Sequence, residues 1–271
     1  MTGERSLVCD EPPDKVDVTV PHSARIWNYW LGGKDNYEID RVVGDQVAQL
    51  FPAIRETARV SRALLGRIIG YLAADAGIRQ FLDVGTGLPA ADNTHQVAQR
   101  IAPESRIVYV DNDPLVLVHA RALLTSNPQG ASDYVDADLH DSGRVLSQAA
   151  RTLDFAKPIA LILHGIMGHV RDDGEAHACV RRLVDGLPTG SYLAMSDGTD
   201  TDEAAVRSME LYQNSGAIPY HLRSPAAFAG FFDGLERVEP GIVAREDWRP
   251  AAPLAPGARR LPGLVGVARK P

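Results

Sequence analysis

Cysteine is scarce in this sequence, and long apolar runs are missing. The two cysteines, Cys9 and Cys179, stand far apart and form no CxxC pair, so neither a disulfide framework nor a thiol-based metal site is indicated. The longest apolar stretch, residues 158–167, is too short to cross a bilayer. The N-terminal residues are acidic and proline-rich, unlike a secretory signal. Together these absences predict a cytoplasmic protein with no membrane association.

Basic residues are also in deficit. The chain has 28 Lys and Arg against 35 Asp and Glu, a formal net charge of −7. This balance argues against general binding to nucleic acid or to anionic membranes. The 271 residues suffice for one large α/β domain with an appendage. The oligomeric state stays open, with a homodimer as one possibility.

The stretch QFLDVGTGLPAA, residues 80–91, organises the rest of the chain. Its apolar run FLDV is typical of a buried parallel strand, and Asp83 lies near the end of that strand. Gly85 and Gly87 follow at once, and glycine permits both a tight turn and the close approach of a ligand to the backbone. Ligands of open α/β sheets bind beside such turns. A plain glycine turn without a ligand is the alternative, because short glycine motifs are weak signals.

Five apolar runs alternate with helical patterns beyond residue 79, which predicts a doubly wound parallel sheet with right-handed crossovers. The predicted strands are residues 80–84, 106–110, 133–135, 158–163 and 191–195, followed by two late strands at 235–240 and 264–268. The predicted helices are one ending at the glycine pair 32–33, then 38–50, 56–74, 92–101, 115–124, 143–150, 173–187, 202–215 and 225–232. We expect a mobile tail over residues 1–20, an N-terminal helical cap over 21–78 and a single core over 79–271.

Acidic residues follow the first three strands of this sheet. Asp83, Asp111 and Asp138 each stand at or just beyond a strand end. An acidic residue after the second strand suits a pair of ribose hydroxyls, and a carboxylate after the third can accept from an adenine amino group. Helix N-capping is the alternative for each aspartate, since it is common at such positions.

The segment PHSARIWNYWLGGKDNY, residues 21–37, concentrates aromatic side chains in a chain that is only 6% aromatic. A helix that packs an aromatic stripe on the core would explain part of the pattern. It would not explain the polar residues after Gly32-Gly33, and a polar loop beside aromatics is a common ligand cap. We therefore predict that this segment folds over a ligand pocket and contributes substrate-binding residues. The candidates are Tyr29, Lys34, Asp35, Asn36 and Tyr37.

Taken together, these motifs resemble the S-adenosylmethionine-dependent methyltransferases of the Rossmann-like class. DVGTG is similar to their first motif, VYVDND to the second, YVDADL to the third and LILHGIMGHV to the strand-four motif, across residues 80–270. With ARIWNYWLGGKDNY, nearly the whole chain resembles an actinobacterial family of S-adenosyl methyltransferases long treated as a domain of unknown function, DUF574. The resemblance implies a seven-stranded, mostly parallel sheet with a reversed C-terminal hairpin and an N-terminal helical cap. Pro89 departs from the broad class, where many members have a third glycine, and proline offers no N–H there.

The resemblance also implies roles in binding S-adenosyl-L-methionine. Gly85, Thr86 and Gly87 would pass under the methionine part of the cofactor, with Asp83 near its amino group. The remaining implied contacts are Asp111 with the ribose, Asn112, Asp138 and Leu139 with the adenine, His164 with the sulfonium region and Arg62 with the carboxylate.

Methyl transfer needs a general base only if the acceptor must lose a proton. His164 and Tyr29 are the predicted catalytic candidates. His169 is a third possible base, although a structural hydrogen bond is the simpler explanation for it. The two histidines match no zinc motif, so no metal site is predicted. The acceptor is expected to be a small molecule, and no Asn-Pro-Pro-Tyr-like motif signals an amide or a nucleobase.

Two other functions remain compatible with parts of the sequence. The loop GTGLPA satisfies G-x-G-x-x-A, so an NAD(P)-dependent oxidoreductase is one alternative. The missing Tyr-x-x-x-Lys pair and the reversed terminal strands count against it. A non-catalytic S-adenosylmethionine-binding module is the other alternative.

Overall fold

One mixed sheet with helices on both faces forms the centre of the molecule, and three helices precede it in the chain. The computed structural model describes residues 17–123, 126–252, 255 and 257–271. Within these residues the strands are β1 Gln80–Val84, β2 Arg106–Asp111, β3 Ala131–Asp136, β4 Ala160–His164, β5 Tyr192–Asp197, β6 Glu236–Arg237, β7 Val243–Ala244 and β8 Leu264–Arg269. The helices are α1 Ser23–Trp30, α2 Glu38–Leu50, α3 Ile54–Ala74, α4 Thr94–Ile101, α5 Pro114–Leu123, α6 Ser142–Ala149, α7 Asp173–Asp185, α8 Glu203–Gln213 and α9 Pro225–Gly230.

The sheet topology places the carboxyl ends of β1 and β4 side by side. The strand order is β3-β2-β1-β4-β5-β8-β6, and β7 pairs with β8 as well. The strands β1 to β5 are parallel, whereas β8 runs antiparallel to β5. Because the order reverses between β1 and β4, their connections diverge and leave a crevice at that edge. The predicted mostly parallel sheet with a reversed C-terminal hairpin is confirmed.

Successive side chains of a strand point to opposite faces of the sheet. Helices cover both faces, so both sets of side chains are buried. Leu82 belongs to the core formed with α6, α7 and α9, whereas Phe81 belongs to the core formed with α3 and α4. Both side chains are fully buried, and burying one such side chain contributes about 1.5–3 kcal/mol. These two cores fix the strand ends that line the crevice.

The helices α1 and α2 form a third core with α8 and the start of α3. Ile26, Trp30 and Phe51 are buried there against Tyr212 of α8. The indole Nε1 of Trp30 donates a hydrogen bond of 3.1 Å to the carbonyl oxygen of Gly44. Packing on α8 and α3 therefore holds the N-terminal helices in place, and the Trp30 hydrogen bond joins α1 to α2.

The observed elements differ from the predicted ones mainly at the C-terminal edge of the sheet. Strand β6 has two residues instead of six, although the N–H of Val238 still donates to the carbonyl oxygen of Val267 in β8. Pro240 has no N–H with which to extend the ladder further. Strand β7 brings the sheet to eight strands in the described chain, and two residues are too few to show a periodic pattern. Helix α3 begins at Ile54 rather than Glu56. Among the described helices, none combines the length and the apolarity that a membrane span requires.

The division into a cap and a core at residue 79 stays a prediction. Helix α3 belongs to the proposed cap, yet its apolar side chains pack directly on the sheet. Residues 1–16 of the predicted tail lie outside the described residues.

Candidate functional site

A cavity of about 550 Å³ opens at the carboxyl ends of β1, β2 and β4. One end is bounded by the loop after β1 and by the ends of β2 and β3. The other end reaches beneath α1 and α8, where its walls are mostly apolar. The predicted cofactor residues that line this cavity are Arg62, Asp83, Gly85, Thr86, Gly87, Asp111, Asn112, Asp138, Leu139 and His164. The structure thus brings together side chains that are separated by about a hundred residues in the chain.

The glycine loop needs its two glycines for different reasons. Both have positive φ values, 74° at Gly85 and 65° at Gly87, and L-residues rarely adopt this conformation. A Cβ on Gly85 would lie 2.4 Å from Cγ1 of Ile166, so the loop packs tightly on the turn after β4. A Cβ on Gly87 would meet nothing within 4 Å. The backbone at Gly87 therefore faces open space within the cavity wall.

Asp111, the last residue of β2, is tied to the glycine loop. Its Oδ2 accepts a hydrogen bond of 2.8 Å from the backbone N–H of Gly87. Its Oδ1 accepts from the backbone N–H of Asp113 at 3.0 Å. Burial raises the pKa of Asp111, and the two N–H donors act in the opposite direction. The carboxylate is held in one orientation and retains lone pairs for a ligand.

Asp83 lies at the floor of the cavity and is fully enclosed. The hydroxyl of Thr94 donates to its Oδ2 at 2.6 Å. Burial raises the pKa of Asp83 to about 6, against the lowering effects of that hydrogen bond and of the Arg62 charge. Arg62 itself donates through Nε to the carbonyl oxygen of Ala91 at 2.9 Å and through Nη2 to Oδ1 of Asn93 at 3.0 Å. Arg62 therefore supports the loop on one side while it borders the cavity on the other.

Asp138 lies at the rim of the cavity, where it is half exposed. Its Oδ2 accepts from the side-chain amide of Asn112 at 3.2 Å, and its Oδ1 accepts from the backbone N–H of His140 at 2.8 Å. These bonds, together with the His140 ring, outweigh burial and lower the pKa of Asp138. Asn112 and Asp138 thus form a polar pair across the ends of β2 and β3. Leu139 adds an adjacent apolar wall.

His164, at the end of β4, is a neutral imidazole. Its Nε2 lies 2.8 Å from the hydroxyl oxygen of Ser61. Burial, assisted by the nearby charges of Arg245 and Arg62, lowers the pKa of His164 to about 3. Its Nδ1 is buried and has no partner in the described chain. The ring is therefore held in position by α3 and does not become charged at physiological pH.

His169 also lies in the cavity wall, in a short 3₁₀ turn at residues 167–169. Its Nδ1 is 2.9 Å from the carbonyl oxygen of Pro219. A carbonyl oxygen only accepts, so Nδ1 bears the proton and Nε2 of the neutral ring bears a lone pair. Burial lowers the pKa of His169, which keeps the ring neutral. The structural hydrogen bond expected for this residue exists, and it leaves the second nitrogen available.

The N-terminal segment contributes one of its predicted substrate residues to the cavity, together with residues that were not predicted. Asp35 lines the cavity. Tyr29 does not, because its hydroxyl donates to Oδ1 of Asp45 at 2.8 Å and accepts from Nη2 of Arg55 at 3.1 Å on the far side of α1. The cavity wall on this side of the protein is formed instead by Trp27, Asn28, Trp30 and Leu31.

Lys34, Asn36 and Tyr37 also lie outside the cavity wall. Lys34 is exposed. Asn36 is buried and donates to Oδ1 of Asn28 at 2.9 Å, so it holds the loop together. The ring centroid of Tyr37 lies 5.4 Å from Cζ of the Arg25 guanidinium, which stands over the ring. A direct role of these three residues in substrate binding stays a prediction.

Several cavity residues gave no sequence signal. Met209 of α8, Tyr220 of the loop after α8 and Arg245, directly after β7, line the cavity from regions with no recognisable motif. Asp197, at the end of β5, is buried beside them and accepts from the hydroxyl of Tyr220. Its position at a strand end was the one feature that could have marked it, as it marked Asp83 and Asp111.

The sheet order, the glycine loop and the carboxylates at three strand ends define a Rossmann-like methyltransferase. The dinucleotide-binding fold differs, since its sixth strand continues the parallel order, whereas β8 is antiparallel here. The chain belongs to the S-adenosyl methyltransferase family, whose sequence model matches residues 9–271. No curated protein sequence matches the chain.

Solved structures agree with this assignment. A DUF574 family protein from Streptomyces avermitilis MA-4680 is 44% identical, with 94% of this chain and 99% of that chain covered and a TM-score of 0.90. A methyltransferase candidate from Thermobifida fusca YX is 37% identical, with 96% and 98% covered and a TM-score of 0.89. An O-methyltransferase family protein from Burkholderia thailandensis shares the fold alone, at 13% identity and a TM-score of 0.52 over 90% of this chain and 63% of that chain.

The protein is therefore an S-adenosylmethionine-dependent methyltransferase, and its cofactor is S-adenosyl-L-methionine. The cavity residues fit this group. Carboxylates suit a cofactor with a cationic sulfur, an ammonium group and ribose hydroxyls. The hydroxyl of Thr86 in the glycine loop is buried without a partner in the described chain, and buried polar groups are normally hydrogen-bonded. A bound ligand would supply that partner.

Proposed function

We propose that this methyltransferase acts on a small, largely apolar acceptor that binds in the inner half of the cavity. One observation carries the proposal: the cavity continues from the glycine loop into a chamber beneath α1 and α8. A small molecule in this chamber would lie next to the cofactor and away from solvent. The chamber walls include Trp30, Phe51, Ile54, Met209, Tyr212 and Leu222.

Asp111 is the residue proposed to hold the cofactor ribose. Its carboxylate is already oriented by the N–H groups of Gly87 and Asp113. Asn112 and Asp138 would contact the adenine, because they lie together at the ends of β2 and β3. Asp83 would attract the ammonium group from the cavity floor. Such prearranged groups lower the cost of ordering the ligand on binding.

S-adenosylmethionine supplies an activated methyl group when it is bound. The protein must then orient the acceptor and remove its proton where it has one. We assign that second role to His169, because its Nδ1 is committed to Pro219 and its Nε2 is a free acceptor. Neutral His164 is fixed by Ser61 and has a pKa of about 3, which makes it a poor base. Its proposed role is to position the ligand beside β4.

The N-terminal segment is proposed to close the cavity rather than to take part in chemistry. Trp27 and Asn28 of α1 and Asp35 of the following loop face the same space as the glycine loop. Excluding water there would favour transfer to the acceptor. Tyr29 is not retained as a base, since it faces Asp45 and Arg55. We also propose a cytoplasmic location, on the basis of the low cysteine content and the free, buried Cys179.

Transfer of label from methyl-labelled S-adenosylmethionine tests the proposed function. The purified protein would be incubated with an actinobacterial extract from which macromolecules have been removed. We expect labelled small molecules with the wild type and much less label with His169→Asn. Label found only when macromolecules are present would contradict a small-molecule acceptor. Equal labelling by both proteins would contradict the role of His169.

A further inference from the structure

Arg245 is a buried charged residue that the proposed function does not use. It directly follows β7, and only 4% of its surface is exposed. Its Nε donates a hydrogen bond of 2.9 Å to the hydroxyl oxygen of Ser196, near the end of β5. The side chain lines the cavity. Burial lowers the pKa of Arg245, but a guanidinium stays protonated in proteins.

Arg245 lies near two acids, Asp197 and Glu246, but is paired with neither in the described chain. It forms no ion pair with any carboxylate in the described chain. Asp197 is the nearest acid in electrostatic terms, but its Oδ2 accepts from the N–H of Met167 at 3.0 Å and its Oδ1 accepts from Tyr220. Oε1 of Glu246 accepts from the N–H of Leu261 at 2.8 Å, and its Oε2 is buried without a partner in the described chain but forms no ion pair with Arg245. Within the described residues, the Nη1 and Nη2 donors of Arg245 have no acceptor.

A second buried arginine, Arg223, has a protein acceptor for each of its three guanidinium nitrogens. Arg223 is 5% exposed, about as buried as Arg245. Its Nε forms an ion pair with Asp173 at 2.8 Å, its Nη1 donates to the carbonyl oxygen of Met167 at 2.6 Å, and its Nη2 donates to that of Val170. A buried charge is costly unless it is paired and hydrogen-bonded. Arg223 meets this condition with protein groups, whereas Arg245 meets it only in part.

We propose that Arg245 binds a carboxylate group of a ligand held in the cavity. The two free nitrogens of a guanidinium match the two oxygens of a carboxylate, and this paired geometry is among the strongest hydrogen-bonding arrangements. The neighbouring His164 is uncharged and Ser196 is neutral, so neither competes for the anion. The apolar walls of the chamber exclude water, which strengthens such a contact.

Two ligands could supply the carboxylate. One is the methionine end of the cofactor, which lies near the end of β4 in the proposed arrangement. The other is the acceptor, because Arg245 lines the same cavity as the walls of the proposed acceptor chamber. Arg62, the sequence-based candidate for the methionine carboxylate, already uses Nε and Nη2 to hold Ala91 and Asn93. The acceptor assignment rests on the proposed function, whereas the cofactor assignment requires only that the cofactor binds.

Calorimetry on Arg245→Gln distinguishes the two sources. The ligands are S-adenosylhomocysteine, 5′-methylthioadenosine, which lacks the amino-acid end, and phenylacetate added to the protein saturated with S-adenosylhomocysteine. If the cofactor supplies the carboxylate, affinity for S-adenosylhomocysteine should fall about 10- to 100-fold, the scale of a charge-assisted contact, with methylthioadenosine unchanged. If the acceptor supplies it, S-adenosylhomocysteine should bind as before, and phenylacetate should bind the wild type but not the variant.

The proposal is overturned if neither S-adenosylhomocysteine nor phenylacetate distinguishes the variant from the wild type. It is also overturned if the affinities for S-adenosylhomocysteine and 5′-methylthioadenosine fall equally, because Arg245 would then only maintain the shape of the cavity. Arg245→Lys keeps the charge and loses the paired geometry, and it provides a second, milder variant if Arg245→Gln folds poorly. These are binding measurements, so a failure to detect methyl transfer would not change their outcome.

Discussion

The Oδ2 atom of Asp111 accepts the backbone N–H of Gly87 at 2.8 Å. This contact joins the end of β2 to the glycine loop after β1, across 24 residues of sequence. One carboxylate therefore fixes the loop and is itself fixed by the loop. Both residues line the cavity, so a ligand bound there lies near the joined pair.

Replacing Asp111 with alanine should weaken binding of S-adenosylhomocysteine by about 1.5–3 kcal/mol, the usual scale for hydrogen bonds to a charged group. The fold should survive, because the side chain lies at a strand end rather than in a core. Isothermal calorimetry gives the affinity and circular dichroism the fold. Asp136→Ala is the matched control, since Asp136 is the partner of Asp111 in the β2–β3 register but is exposed. If both variants bind S-adenosylhomocysteine with equal affinity, Asp111 only caps the following helix and does not bind the ligand.

Gly87→Ala should weaken cofactor binding more than it destabilises the protein. A positive φ costs an alanine roughly 1–2 kcal/mol, but the added Cβ meets no protein atom within 4 Å. The methyl group would therefore occupy space proposed for the cofactor. Gly77→Ala is the control, because Gly77 has a similar φ of 68° and equally open surroundings away from the cavity.

Thermal unfolding and calorimetry would be measured on both glycine variants. Similar losses of stability with a loss of affinity only in Gly87→Ala are the expected pair of results. An equal effect on affinity would mean that backbone strain, and not contact with the ligand, explains the need for glycine at this position.

The sequence predicted the parts of the site that depend on strand order. Asp83, Asp111 and Asp138 could be grouped because the carboxyl ends of parallel strands meet at one edge. The orientation of Tyr29 could not be predicted, since α1 has aromatic residues on more than one side and only the partners Asp45 and Arg55 decide where the hydroxyl points. Arg245 could not be predicted either. It reaches the cavity through β7, a strand too short to be visible as a pattern.

Binding of S-adenosylhomocysteine should weaken as the pH falls below about 6. Burial raises the pKa of Asp83 to about 6 in the free protein, so at pH 7 this carboxylate is charged and attracts the ammonium group of the ligand. Below that pKa it takes up a proton and the attraction is lost, by up to about tenfold in affinity per pH unit. Because the pKa of Asp83 is raised in the folded protein, the ligand-free protein loses stability as the pH rises through about 6 and Asp83 ionises. The bound cation would offset that cost.

Affinity measured between pH 5 and pH 8 tests this dependence. Asp83→Asn should bind more weakly at pH 7 and show a pH dependence shallower by one proton. 5′-Methylthioadenosine lacks the ammonium group and should show a smaller pH dependence with the wild type. Asp197, whose pKa burial also raises to about 6, remains in the variant and accounts for any residual slope near that pH. Identical slopes for wild type and Asp83→Asn would contradict the role of Asp83.

Cofactor binding should order the N-terminal segment together with the glycine loop. Asn28 holds this segment, because its Oδ1 accepts from the backbone N–H of Asp35 at 3.1 Å and from the side chain of Asn36. Asn28 and Asp35 line the same cavity as Gly85. Hydrogen exchange with and without S-adenosylhomocysteine should therefore show increased protection over residues 32–36 as well as 85–87.

Asn28→Ala separates a closing segment from a purely structural one. Removing the side-chain acceptor frees the loop from α1, so the variant should lose the ligand-dependent protection of residues 32–36 and keep that of residues 85–87. Asn214→Ala serves as the control, because the exposed Asn214 side chain donates, among the described residues, to the carbonyl oxygen of Glu210 alone, at the end of α8. If the wild type gains protection in the glycine loop alone, the aromatic helix α1 is simply part of the core, and water exclusion must come from α8 and the loop that contains Tyr220.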